Sequence, residues 1–308
     1  MTLRAWTSLA ITAALWGASY MFIKVDLDGG FSEGFIICAR TLLGAAVLVP
    51  LGIRAGALPM LLERKRWTVA LALAQVIVPF GLITFGENHV PSSLAGILVA
   101  SAPLFVALLA IRLDPEERSH GWGLVGVVLG MAGVVLLFGV DLSGDTEELV
   151  GGLMILGAGL SYAFAVLIVK RGFTGVPPVG VAASTMVISA VAWLPVALAS
   201  LPSESPHLNA VASMLALGAG GTGIAFLFFY QSIADVGPAR ASVVAYVAPA
   251  FAVVYGVTLL DEAITAGTIA GLVLILTGSW LAAQGRLPSF LSRSAPSRSS
   301  APEPVRAR

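Results

Sequence analysis

Cysteine, histidine and charge are all scarce in this chain, and each shortage removes a class of function. Cys38 is the single cysteine, which excludes an internal disulfide and a cysteine-based metal site. The three histidines, His89, His120 and His207, are far apart and near predicted helix ends, an arrangement that argues against a histidine metal centre. Charged residues make up 11% of the 308 residues, against about 25% in an ordinary soluble domain. Lys+Arg and Asp+Glu both number 17, so the overall balance points to no acidic partner, and no nucleic-acid partner is expected. No acid, His or Cys cluster recurs at a common depth, which counts against an intramembrane enzyme. No nucleotide-binding loop is present either, so neither direct ATP drive nor a bound cofactor is expected. GAGGTG (218–223) has the composition of a phosphate-cradling loop. It sits mid-span without a following Lys-Ser/Thr, and reads instead as a thin helix face permitting close approach.

What is abundant is apolar sequence: 57% of residues are hydrophobic and the mean hydropathy is +0.94. With roughly 20 apolar residues needed per crossing, the chain reads as an all-α integral membrane protein. Hydropathy and breakers divide it into ten spans: 6–24, 34–53, 67–86, 92–111, 121–140, 150–170, 179–201, 208–232, 237–259 and 264–284. The first follows only Arg4 and lacks a small-residue cleavage pattern, so it reads as a retained helix and not a signal peptide. Residues 287–308, rich in Ser, Pro and Arg, are expected to form a disordered cytoplasmic tail.

Lysine and arginine placement sets an expected orientation. With the N-terminus inside, one side collects Arg4, Arg54, Arg64, Lys65, Arg66, Arg112, Arg118, Lys170, Arg171, Arg240 and the basic tail, while the other has only Lys24. Both termini are therefore expected in the cytoplasm of a bacterial inner membrane. Trp6, Trp67 and Trp122 then begin spans at the inner interface, where amphipathic rings are favoured.

The segment 87–113 recurs as 233–259. At a constant offset of 146, Val90/Val236, Ala95/Ala241, Ala102/Ala248, Pro103/Pro249, Phe105/Phe251 and Leu113/Leu259 are identical. The same offset matches Lys24 with Lys170 and Gly34 with Gly180. After a one-residue deletion, Gly126 and Gly133 fall on Gly271 and Gly278. The repeats are placed at 6–140 and 150–284, five spans each. An odd number of spans turns the second copy upside down in the bilayer. Inverted repeats provide two pseudo-equivalent halves, a cavity between them and alternating access by rocking.

The stretches LWGASYMFIK (15–24), ARTLLGA (39–45), HVPSSLAGIL…PLFVALLA (89–110) and EERSHGWGLVGVVLGMAGVVLL (116–137), in that order and spacing, resemble the ten-helix, EamA-type transporters of the drug/metabolite transporter superfamily. The resemblance implies export or exchange of small metabolites. The second copy departs from the pattern where Met186 matches Arg40, and where 262–264 match Glu116–Arg118. Two other readings compete with a transporter: an enzyme acting on a lipid or isoprenoid within the membrane, and a non-transporting scaffold.

Five polar or aromatic side chains fall near the middle of their spans: Trp16, Gln75, Ser101, Tyr162 and Tyr246. Polar groups in hydrocarbon are costly unless they are paired or line a wet cavity. These five are candidates for binding a small-molecule substrate, against the alternative of ordinary interhelical hydrogen bonds. Arg40, the one charge well inside a span, is the sixth: it could hold an anionic group, pair structurally or snorkel outward. Pro103 and Pro249 are expected to kink their helices and free backbone carbonyls. Glu87, His89 and Asp235 lie at span ends and read as solvated loop charges, which leaves proton coupling unsupported. Gly126-x-x-x-Gly130 and Gly267-x-x-x-Gly271 suit close helix packing, with a homodimer contact as the alternative use.

Overall fold

The computed structural model describes residues 3–113, 121–140, 146–202 and 205–284. The expected disordered tail, the Glu116–Arg118 motif and His120 lie outside these residues. Among them the chain forms ten membrane-length or near-membrane-length helical spans. In the first repeat these are α1 (Leu3–Asp28), α2 (Glu33–Arg54), α3 (Lys65–Gly86), α4 (Ser92–Leu113) and α5 (Trp122–Val140). In the second they are α6 (Thr146–Gly172), α7 (Pro178–Ala199), α8 (Leu208–Val236), α9 (Val244–Leu259) and α10 (Ala266–Gln284). The sequence reading missed one short helix, Ala57–Glu63, which lies between α2 and α3. It also shortened α1, whose last turn continues past Lys24 to Asp28 because Lys24 and Asp28 pair at i,i+4 (3.1 Å).

Burial is reversed relative to a water-soluble fold, as lipid requires. Val128, Val135 and Val191 are about two-thirds exposed, while Thr12, Thr41, Thr84 and Ser189 are fully buried. Buried hydroxyls mostly donate to carbonyls in their own helix, as Thr12 does to Ser8 (2.8 Å) and Thr41 to Ile37 (2.7 Å).

The helix contacts obey an exchange of the two halves. α5 packs on α10 and α2 on α7, which are equivalent helices. The pair α1–α9 is matched by α6–α4, α3–α6 by α8–α1, and α2–α8 by α7–α3. At α5–α10 the backbones nearly touch: a Cβ on Gly126 would lie 2.6 Å from Leu281 Cβ and 2.7 Å from the Gly278 carbonyl oxygen. Gly267 and Gly271 face Val140 and Leu137 in the same seam. Both glycine pairs are thus used within one chain, and these faces are not available for a homodimer.

Successive spans alternate in direction, so Leu3 and Gln284 lie at one end of the bundle, here called the terminal face. The opposite end is the distal face. Arg64 Nη1 donates to the Gly172 (2.8 Å) and Thr174 (3.2 Å) carbonyls at the terminal face. At the distal face the Ser32 hydroxyl, which accepts from Phe35 N–H as the α2 N-cap, donates to the Ser200 carbonyl (2.7 Å).

Candidate functional site

Three helices lose their regular hydrogen-bond ladder near mid-depth, and the losses fall where a cavity lies between the halves. α3 widens to a π-turn at Leu73–Ile77 and α8 at Ala216–Ile224, at equivalent positions in the two repeats. Such π-bulges are frequent at functional sites. The displaced carbonyls are met by hydroxyls: Ser161 donates to the Ala74 carbonyl (2.8 Å) and Thr222 to that of Leu217 (3.1 Å). α4 divides into Ser92–Val99 and Ala102–Leu113, because Pro103 has no N–H to continue the ladder. Ser279 of α10 donates to the Ala100 carbonyl at this break (3.1 Å). Pro249 behaves differently from expectation. It lies inside the continuous helix Val244–Leu259, and the interruption falls earlier, between the short turn of helix Pro238–Ala241 and Val244.

The cavity has a volume of about 740 Å³, within the range of roughly 300–1,000 Å³ typical of small-molecule sites. Trp16, Arg40, Gln75, Tyr162, Tyr246, Pro103 and Pro249 all line it. Ser101 does not. Its hydroxyl donates to the Leu98 carbonyl (2.6 Å) and it is fully buried against α6, where a Cβ on Gly159 would lie 3.2 Å from its Oγ. Helix periodicity could not separate those two faces in a span that is buried nearly all round.

The walls reproduce the repeat. Trp16/Tyr162, Tyr20/Val166, Phe80/Phe226, Ala100/Tyr246 and Pro103/Pro249 are each related by the offset of 146, and both members of each pair face the cavity. Tyr20, Phe80, Thr222 and Phe226 were missed in the sequence. Tyr20 had a usable signal, being one helical turn from Trp16 on the same face. Trp16 packs against Phe226 and Phe229 with ring centroids 5.6 and 4.9 Å apart.

Symmetry fails in two respects. The first is Arg40, whose equivalent Met186 is fully buried away from the cavity. Arg40 is 5% exposed. Its guanidinium carbon lies 3.9 Å above the Phe80 ring centroid, and Nη2 reaches Thr222 Oγ1 at 3.4 Å. Nε has no hydrogen-bond partner, and no carboxylate forms a salt bridge with it among the described residues. The side chain does not snorkel outward: it is a permanent cation held at the cavity wall by two structural partners, the Phe80 ring and the Thr222 hydroxyl.

The second asymmetry is in depth. Val106, Ala110, Ala282 and Ala283 carry the cavity toward the terminal face, but their equivalents Ala252, Gly256, Leu137 and Phe138 do not line it. The distal side is shut at that place by Glu262. Asp261, the only non-glycine with positive φ (+53°) among the described residues, turns the chain so that the Glu262 side chain folds back over Gly256. There its carboxylate accepts from Ser92 N–H (2.7 Å) and Ser93 N–H (2.9 Å), the first amides of α4. An acid at a helix N-terminus satisfies two otherwise unpaired donors and meets the positive end of the helix dipole. The structure is therefore closed at the distal face by a second-repeat acid seated on a first-repeat helix.

Glu87 also departs from expectation. It is fully buried, and neither carboxyl oxygen has a hydrogen bond. His89 is about one-third exposed and lies 3.5 Å from Glu147, and Asp235 lies 3.8 Å from Arg4, so both sit at the ends of the bundle.

Comparison with known proteins agrees with this architecture. The EamA-like transporter family matches residues 4–139 and again 149–284. The chain is 26% identical over 274 residues to the uncharacterized transporter YoaV of Bacillus subtilis, covering 87% of this chain and 92% of YoaV. It is 28% identical over 260 residues to the uncharacterized inner membrane transporter YedA of Escherichia coli K12, covering 82% and 81% of the two chains. A probable terminal-alkyne amino-acid exporter of Streptantibioticus cattleyicolor is 27% identical over 287 residues, covering 87% and 92%. One crystal structure matches 96% of this chain and 98% of its own with a TM-score of 0.65 at 21% identity, a likeness of fold. A ten-helix bundle built from two related halves around a shared cavity, matched twice by one family, makes this chain a member of the EamA-like transporter family of the drug/metabolite transporter superfamily, a multi-pass membrane transporter and not an enzyme.

Proposed function

We propose that the protein is a secondary transporter that exports or exchanges a small organic solute carrying an anionic group, amino acid-like in chemistry, by alternating access. One observation carries the choice of substrate: Arg40 is a buried cation at the cavity wall that forms no salt bridge with an acid among the described residues. A buried unpaired charge is strongly unfavourable, and a carboxylate on the substrate would supply what the wall omits. The aromatic surfaces of Trp16, Tyr20 and Tyr162 suit the apolar part of such a solute, with Gln75 and Tyr246 as orienting hydrogen-bond groups. The relative named as a probable amino-acid exporter supports the same class. The terminal face, rich in Arg and Lys, is assigned to the cytoplasm of a bacterial inner membrane, which makes the described state inward-facing.

The test is substrate-induced thermal stabilisation of the purified protein across a panel of amino acids and their amides, followed by proteoliposome transport of any hit. Arg40→Met, which restores the residue of the other repeat, should keep the fold and abolish discrimination between each acid and its amide. If the acids and amides behave alike with wild-type protein, Arg40 is not an anion site.

A further inference from the structure

Glu87 follows the last turn of α3, at the distal end of the bundle and five residues before the amides that hold Glu262. It is the only fully buried glutamate among the described residues, and both its oxygens lack a donor. We propose that Glu87 is a proton-binding site that links acidity on the distal side to closure of the distal face.

The groups around it define what it can bind. From α1 come Lys24, already engaged with Asp28, and the side chain of Tyr20, while the buried Asp26 lies within electrostatic reach of Arg40. Arg40 approaches from α2, whose Glu33 is held by Asn88 (2.6 Å). α6 brings Glu147, which sits beside His89. The segment before α10 brings Glu262, seated on the α4 amides. No donor from any of these reaches the Glu87 carboxyl. A buried carboxylate without donors is far less stable than the neutral acid in the same place. Burial pushes the Glu87 carboxyl well above the usual carboxylate range; Arg40 opposes the rise, the Glu262 carboxylate adds to it, and Lys24 opposes it.

The coupling follows from what opening must do. When the distal face opens, Glu262 leaves the α4 amides, water reaches the loop before α4, and Glu87 returns toward its ordinary acidity. The closed state thus binds the proton more tightly than the open one. By linkage, acid favours closure. The effect is complete below the ordinary carboxylate range and is lost as pH rises through the raised value of the closed state. No substrate is involved, so the inference does not depend on the role given to Arg40.

The experiment uses full-length protein in nanodiscs carrying Cys38→Ser and Ser93→Cys. Ser93 is 2% exposed, and its amide still caps Glu262 after substitution, so a membrane-impermeant maleimide reacts only on opening. The labelling rate is measured across pH and divided by the rate of the same protein with Glu87→Gln, which cancels thiol ionisation. The expected ratio is near one in acid and rises several-fold toward alkaline pH. A flat or falling ratio overturns the proposal. If Glu87→Gln does not fold, infrared spectroscopy with isotope-labelled glutamate gives a separate answer on the unsubstituted chain. A protonated-carboxyl stretch at neutral pH that shifts with the label supports the proposal, and the absence of any shifting stretch overturns it.

Discussion

The Arg40 guanidinium lies 3.9 Å over the ring of Phe80, a residue of α3 whose equivalent in the second repeat, Phe226, faces the same cavity without a cation. A desolvated contact of this kind contributes on the order of 2 kcal/mol. Phe80→Leu keeps an apolar side chain but removes the ring, so Arg40 loses its support. We expect transport of the proposed acidic substrate to fall by about tenfold or more, with Phe226→Leu having a smaller effect. Proteoliposome uptake for the two variants side by side checks this, and equal losses would remove the special role of Phe80.

Trp16 and Trp122 separate the cavity from the membrane interface. Trp16 is locked between the cavity and the rings of Phe226 and Phe229, whereas Trp122 begins α5 and is about half exposed. Trp16→Ala should reduce transport more than it reduces thermal stability. Trp122→Ala should lower the amount of inserted protein and leave transport per molecule unchanged. Transport normalised to protein abundance, with melting temperature measured alongside, distinguishes the two.

Removal of the Glu262 carboxylate should unlatch the distal face. Two charge-assisted hydrogen bonds to the α4 amides are at stake, each worth about 1.5–3 kcal/mol in other proteins. In the Glu262→Ala variant, labelling at Ser93→Cys should therefore rise at least about tenfold, while Glu148→Ala, a half-buried acid nearby that does not bond the α4 amides, should leave it unchanged. No increase would mean that other distal contacts, such as Ser32–Ser200, carry the closure.

The α5–α10 seam should be the least tolerant of added bulk. Gly126→Val would drive a branched side chain into Leu281 and the Gly278 backbone, which cannot yield. A loss of about 3 kcal/mol is expected, visible as aggregation on size-exclusion chromatography. Gly139→Ala, with nothing within 4 Å of its added carbon, is the control and should be neutral.

Topology is checked by reporter fusion after Arg308. A fluorescent protein that matures only in the cytoplasm should be active there, and a periplasmic phosphatase silent.

Much of this molecule was legible because lipid imposes simple rules. Span number, the offset that relates Trp16 to Tyr162 and the convergence of both on the cavity all follow from apolar length and internal repetition. What was hidden depends on rotation about helix axes. Ser101 is one residue from a cavity-lining position yet faces α6, because α4 is buried nearly all round and no polar stripe marks its orientation. The π-turn around Gln75 carries no distinctive composition, and the one around Thr222 falls on the glycine-rich 218–223, whose composition speaks for close helix approach and not for a shift in helix register. Glu87 read as a loop charge because its position at a span end normally means water, whereas here the closed distal face covers it.

The lone guanidinium of Arg40 also bears on turnover. On the function proposed above, a carrier returning empty must enclose that cation again without a salt-bridged acid, whereas a carrier returning loaded encloses a neutral pair. The empty return is then the slow leg of the cycle. Such a carrier runs faster when a second solute of the same class waits on the far side, so counterflow should outpace net flux through the same protein.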